Sequence, residues 1–158
     1  MSCARILVAT MLMLAISANA GRAGEAANAN LDILLDTIRA NKKALVAANL
    51  TLSDDEAARF WPLYDKYQTD MKGVQDRAVT VIQDYIASFH DLSNEKAMKL
   101  ADDWLSAEGD RLKVQRTYLP EFAKVLPGKK VVRFYQIENK MDAVLRYDLA
   151  AQIPVVGE

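Results

Sequence analysis

The 158-residue chain carries one histidine, His90, and one cysteine, Cys3. His90 has Asp91 and Glu95 close by, a grouping that could touch a metal ion. A tight transition-metal site draws on more than one soft or borderline ligand, however, and a lone imidazole in a turn beside a helix cap is ordinarily solvated. A serine–histidine–acid relay would require His90 to meet a serine across the fold, and no GxSxG nucleophile elbow occurs. Carboxylates are left: a Glu of raised pKa paired with an Asp can cleave glycosidic bonds without His or Cys. Glu108, Glu138 and Asp102 lie nearest the apolar faces. For Glu108 and Glu138 the sequence favours partial burial against a cation such as Arg111, Arg133 or Lys140. The glycines are isolated and form no phosphate loop. The sequence therefore points to no catalytic residue, no metal and no cofactor.

Aromatic residues make the better candidate for a site. Phe60, Trp61, Tyr64 and Tyr67, with the pair Phe134 and Tyr135, offer a client- or partner-binding surface, because exposed rings within a polar rim hold apolar partners. Consecutive rings at 60 and 61 cannot both face one helical stripe, so Trp61 or Phe60 is expected at an edge. The same rings could instead pack a core or a dimer interface. Lys124, Lys129, Lys130 and Arg133 gather around Pro127 and could steer acidic clients, or could be a solvated loop.

The elements that must position these residues are helical. Apolar positions Leu31, Leu34, Leu35, Ile38, Leu45 and Val46 predict a first amphipathic helix over 29–49, with Lys42 and Lys43 among the charges between them. Ser53 followed by Glu56 is a capping box, in which each side chain satisfies a backbone N–H left open at a helix start. It opens a second helix over 54–89. There Phe60, Tyr64, Tyr67, Met71, Val74, Ala78, Val81 and Tyr85 alternate at spacings of four and three, a heptad seam that demands a partner helix. Pro62 inside this helix removes one backbone hydrogen bond and predicts a bend rather than a break. Ser93 caps a third helix running to 125, with Ala97, Leu100, Ala101, Trp104, Leu105, Leu112, Leu119 and Phe122 as its apolar positions and Gly109 and Pro120 as expected bends. Leu126-Pro127-Gly128 is a turn. A fourth helix follows over 129–151, and the tail from 152 to 158 is expected to be extended.

Three nine-residue segments superpose without gaps: LSDDEAARF at 52–60, LSNEKAMKL at 92–100 and LPGKKVVRF at 126–134. In each, Leu precedes a Ser cap or a helix-starting Pro, and the last apolar residue falls two turns on, where it should enter the core. Helix-start grammar alone could produce this pattern, and so could common origin.

The compartment is read from the N-terminus. One basic residue in 1–5, an apolar run over 6–17 and the small residues Ala18 and Ala20 predict a secretory signal peptide over 1–20, cleaved between Ala20 and Gly21. The run of about twelve residues is too short to span roughly 30 Å of hydrocarbon, so no permanent membrane anchor is expected. Residues 21–28 read as a flexible mature N-terminus, followed by a single helical domain over 29–151. Cys3 leaves with the signal, and a cysteine-free exported chain rests on packing rather than on disulfides. A composition of 51% hydrophobic residues excludes wholesale disorder, and a net charge of -1 shows no basic footprint for nucleic acid.

The segment LTLSDDEAARFWPLYDKY, with its Leu-Thr and Leu-Ser helix starts recurring in an exported all-helical chain, resembles the Spy/CpxP (LTxxQ-motif) family of periplasmic stress proteins, as a divergent relative. The final position of the motif holds Asp54, Glu56 or Lys96, according to the Leu counted from, and never Gln. The resemblance extends over roughly residues 50–149. It implies an all-α fold, a bent helical hairpin of three to four long amphipathic helices that dimerises. It also implies an ATP-independent envelope-stress chaperone or adaptor binding unfolded or envelope protein clients, or a sensor or membrane-protein domain. Two other classes stay open: a structural or regulatory interaction module paired with a membrane-protein partner, and a small carboxylate-based hydrolase.

Overall fold

A computed structural model describes residues 41–156 of the chain. The expected signal peptide, its Ala20–Gly21 cleavage point, the flexible mature N-terminus and the first part of the first helix lie outside the described residues. Within them the protein is all-α. Four helices follow one another: α1, described over 41–49, α2 (Asp54–Ser88), α3 (Asn94–Val125) and α4 (Gly128–Gln152).

Each helix start is made locally. At α2 the Glu56 amide donates to the Ser53 hydroxyl at 3.3 Å, and the Ser53 amide donates to the Glu56 carboxylate at 2.8 Å. Asp54, Asp55 and Glu56 also set negative charge against the helix N-terminus, where backbone N–H groups leave partial positive charge. At α3 the Lys96 amide donates to the Ser93 hydroxyl at 3.2 Å. Pro127 precedes α4 with its φ of -59°, already in the range a helix start needs. The three repeated segments are thus three helix starts. Their last residues, Phe60, Leu100 and Phe134, are all buried.

Helices α2 and α3 pack as a long antiparallel hairpin. Arg77 pairs with Asp110 at 2.7 Å, and the Tyr118 hydroxyl donates to Asp70 at 2.6 Å. The buried seam of α2 runs through Phe60, Tyr64, Tyr67, Met71 and Val74 in the predicted rhythm, then passes to Ile82, with Val81 and Tyr85 half-buried. Both α2 and α3 continue through their prolines, Pro62 and Pro120. Helix α4 runs back along α3, and its first turns lie beside those of α2. The Lys130 ammonium donates to Glu56 and the rings of Phe134 and Phe60 meet at 5.4 Å, so equivalent positions of the first and third repeats touch each other. Val46 and Leu50 of the first helix and its exit close the same end, which we call the base.

Two sequence expectations change here. Leu105, Leu112 and Leu119 were expected on the core side of α3, yet they are exposed at 68%, 52% and 48%. The seam of α3 instead follows Ala97, Leu100, Trp104, Ala107, Val114, Tyr118 and Phe122, about 100° round the helix from these leucines. Lys42, expected among the solvated charges of α1, is buried.

Candidate functional site

The six aromatic candidates come together at the base. Phe134 stacks against Phe122 with ring centroids 4.5 Å apart, and it also meets Phe60, Tyr64 and Tyr135. Phe60, Tyr64, Tyr67 and Phe134 are buried, so the expectation that they offer a partner surface is corrected: the folded chain covers all four. Seven or more ring pairs of this kind outbid exposure, since each adds about 0.5–1.5 kcal/mol beyond area burial. Trp61 and Tyr135 are half-buried at the rim of the cluster. Trp61 holds the Lys43 ammonium 5.4 Å from its ring, and Lys43 also pairs with Asp65 at 2.6 Å. The Tyr135 hydroxyl donates to the Gln115 carbonyl at 2.9 Å, and burial, followed by the Glu138 charge, pushes its pKa up to about 12.

Beside the aromatic core lies a chain of charge, buried at Lys42, Glu138 and Asp142 and open to solvent at Arg146. The Lys42 ammonium sits 2.9 Å from Glu138 and 3.5 Å from Asp142, and Arg111 reaches Asp142 at 3.4 Å. Arg146 closes the chain by donating twice to Glu108, at 2.6 and 2.7 Å. Glu138 was expected to pair with Arg111, Arg133 or Lys140, but its partner comes from α1, a helix whose face no local spacing relates to α4. Burial raises the Glu138 pKa above its usual range, against the opposing pull of Lys42. Solvent does not reach its carboxylate as the chain is folded. Such an arrangement locks α1, α3 and α4 together, because a buried charge without its partner is costly.

The remaining candidates are mostly engaged or exposed. Lys124 pairs with Glu121, Lys130 with Glu56, and the Arg133 guanidinium donates to the Asn49 carbonyl at 2.7 Å. Of the basic residues around Pro127, Lys130 and Arg133 therefore tie the base together. The Lys130 ammonium holds the Glu56 carboxyl below its usual pKa. His90 is exposed, with its ring edge-on to Phe89 at 5.4 Å.

Two apolar surfaces stand outside the core. The first is a stripe on α3: Met98, Leu105, Leu112 and Leu119 repeat every seven residues, all exposed, Met98 at 72%. Over 21 residues at about 1.5 Å each, the stripe is roughly 30 Å long. Its signal in the sequence was the unbroken spacing of seven, which the overlapping three-and-four rhythm of the buried seam concealed. The second is a groove of about 470 Å³ towards the hairpin turn, where Ile82 and Tyr85 of α2 face Leu100 and Trp104 of α3. Residues 153–156, beyond the end of α4, lie along it and border the remaining space.

An all-α hairpin with the first helix packed at its base and the fourth running back along α3, carrying apolar side chains outward along one of its long helices, is the class of protein these features define. No protein-family model, curated protein or solved structure matches the chain. Among the described residues, no helix is long and apolar enough to cross a membrane.

Proposed function

We propose that the protein is an exported, periplasmic helical binding protein that holds unfolded or envelope protein clients, in keeping with its resemblance to the LTxxQ-motif stress proteins. The observation that carries this reading is the exposed stripe Met98, Leu105, Leu112 and Leu119. The folded hairpin buries the other apolar row of α3 and leaves this one in water. Side chains that gain about 25 cal/mol for each Å² of apolar surface removed from water favour any partner that covers them. Exposed Asp102, Lys113 and Arg116 flank the stripe. The chemistry required is binding alone, with no cofactor and no bond made or broken.

The test is light scattering from a chemically unfolded protein as it aggregates, with the chain from Gly21 onward added at equimolar ratio. Suppression is expected, and Leu105→Glu with Leu112→Glu should abolish it while helical circular dichroism is unchanged. Absence of suppression by the folded protein, or full suppression by the double variant, would sink the reading.

A second reading, a module pairing with one helical partner or a second copy of the chain, is favoured by the heptad spacing itself, because side chains repeating every seven residues fit the seam of a coiled coil. Asp102 and Arg116 each follow a stripe residue by four positions, on the same face. An antiparallel homodimer would bring each Asp102 towards the partner subunit's Arg116, whereas a parallel one would oppose like charges. Sedimentation equilibrium separates this from client holding: a dimer that Leu112→Glu dissociates, with no effect on aggregating proteins, would move the stripe to this second role. A dedicated sensor or membrane-protein partner would saturate at a fixed stoichiometry.

A further inference from the structure

The groove near the hairpin turn already holds a segment of peptide. Beyond α4 the backbone leaves the helix at Ile153, whose φ of -90° and ψ of 117° are extended, and residues 153–156 run on without helical bonding. The Tyr85 hydroxyl donates to the Pro154 carbonyl at 2.6 Å, a hydrogen bond from the groove wall to the main chain of the segment. A main-chain bond of this kind is indifferent to the side chain it passes. Leu100 and Ile82 are buried beneath the groove, and Trp104 and Tyr85 are half-buried along it.

The fit in length is close. Ala97 to Trp104 covers seven helical steps, roughly 10 Å at about 1.5 Å per residue, and an extended chain covers that distance in about three or four residues at about 3.3 Å each. The tail supplies four, 153–156. Yet it is a poor filler: Val155 is 89% exposed and Val156 53%, so much of its apolar surface stays in water. Space of about 470 Å³ is left beside it, within the range of small-ligand sites.

We propose that this groove is a peptide-binding site for extended apolar segments, recognised by side-chain burial against Leu100 and Trp104 and by the Tyr85 hydrogen bond to a main-chain carbonyl. The chain's own residues 153–156 are its resident occupant, and a better-filling segment displaces them. The groove is formed by a different face of α3 from the exposed stripe, and its test is independent of client holding.

The experiment is fluorescence anisotropy of a labelled peptide, Gln-Ile-Pro-Val-Val-Gly-Glu, titrated with the full mature chain and with its Ile153→Asp, Val156→Asp variant, whose tail no longer suits an apolar groove. The tail variant is expected to bind the peptide saturably and at least about tenfold more tightly than the unaltered chain, as removal of a bound competitor requires. An unrelated extended peptide of Val, Ile and Pro should bind as well, and one with Asp at the two branched positions should not. Tyr85→Phe in the tail variant should weaken binding by about two- to tenfold, the net effect of one hydrogen bond. Leu100→Phe, which fills the groove floor with a larger side chain, should abolish it with helical content intact. Equal affinity with and without the tail change, or binding confined to the protein's own tail sequence, would overturn the proposal. So would binding unaffected by Leu100→Phe, or a peptide effect explained by dissociation of a tail-exchanged dimer in sedimentation.

Discussion

The base of the bundle and the hairpin end are built by the same nine-residue helix start and finish differently. Two of the three repeats, ending in Phe60 and Phe134, meet at the base, where their rings touch and their fifth positions, Glu56 and Lys130, pair. The remaining repeat opens α3 at the other end and finishes in Leu100, a smaller anchor on the floor of an apolar groove. At the base four helices contribute, and every large apolar side chain of the seam is covered. Along the outer face of α3 there is no further described helix, and Met98, Leu105, Leu112 and Leu119 stay in solvent. The aromatic residues hold the fold, and on the function proposed above the aliphatic ones outside the core are what a partner covers.

Substitutions at the base should cost most. Phe134→Ala removes a ring packed against five others and is expected to lower the free energy of unfolding by about 3–5 kcal/mol, read from urea denaturation followed by circular dichroism. Lys42→Met leaves Glu138 buried without its cation, at a cost of about 3 kcal/mol or more at neutral pH. That cost should shrink on acidification. Burial holds the Glu138 pKa above its ordinary 4.5, so the folded chain keeps a proton that the unfolded chain has already lost. Its favourable contribution is complete below that ordinary value and is lost as the pH rises through the folded one. Denaturation midpoints of the Lys42→Met variant measured from acid to neutral pH should therefore fall with rising pH, and Glu138→Gln in the same background should flatten the slope.

Smaller effects belong to the helix starts and the outer face. Ser53→Ala breaks the capping box of α2 and should cost about 1 kcal/mol, with Ser93→Ala similar at α3. Leu105→Glu with Leu112→Glu should change stability by no more than about 0.5 kcal/mol at each site, since neither side chain is part of the core. A large loss of stability in that variant would blur the division between the two regions. A small loss accompanied by lost binding would sharpen it.

Much of this division could be read from residue order, and its failures have physical causes. The capping residues Ser53 and Ser93, the turn at Pro127 and the seam from Phe60 to Val74 were legible because each depends on neighbours within a turn or two. Glu108 with Arg111 is likewise a local pair. Lys42 with Glu138 is not: the two are joined only when α1 lies against α4, and nothing in either helix announces its azimuth. The aromatic candidates were placed in one cluster, but core and partner surface stayed open for them, because ring type alone does not say whether a stripe meets another helix or water. Phe60, Tyr64 and Phe134 meet other helices. Leu105, Leu112 and Leu119 were misplaced for a related reason. Helix α3 carries two apolar rows about 100° apart, and a hairpin can bury only the one that α2 faces. The groove required tertiary knowledge throughout, since α2 and α3 form it and residues 153–156 lie along it.

The most direct test of the central claim, that the core holds the fold while the outer face of α3 holds the partner, is amide hydrogen exchange on the mature chain with and without a chemically unfolded client. The account predicts slowed exchange across residues 98–119 of α3 on client addition, and unchanged exchange around Phe60–Tyr67 and Val131–Ile137. Protection gained at the base instead, or no change anywhere while aggregation is suppressed, would contradict it.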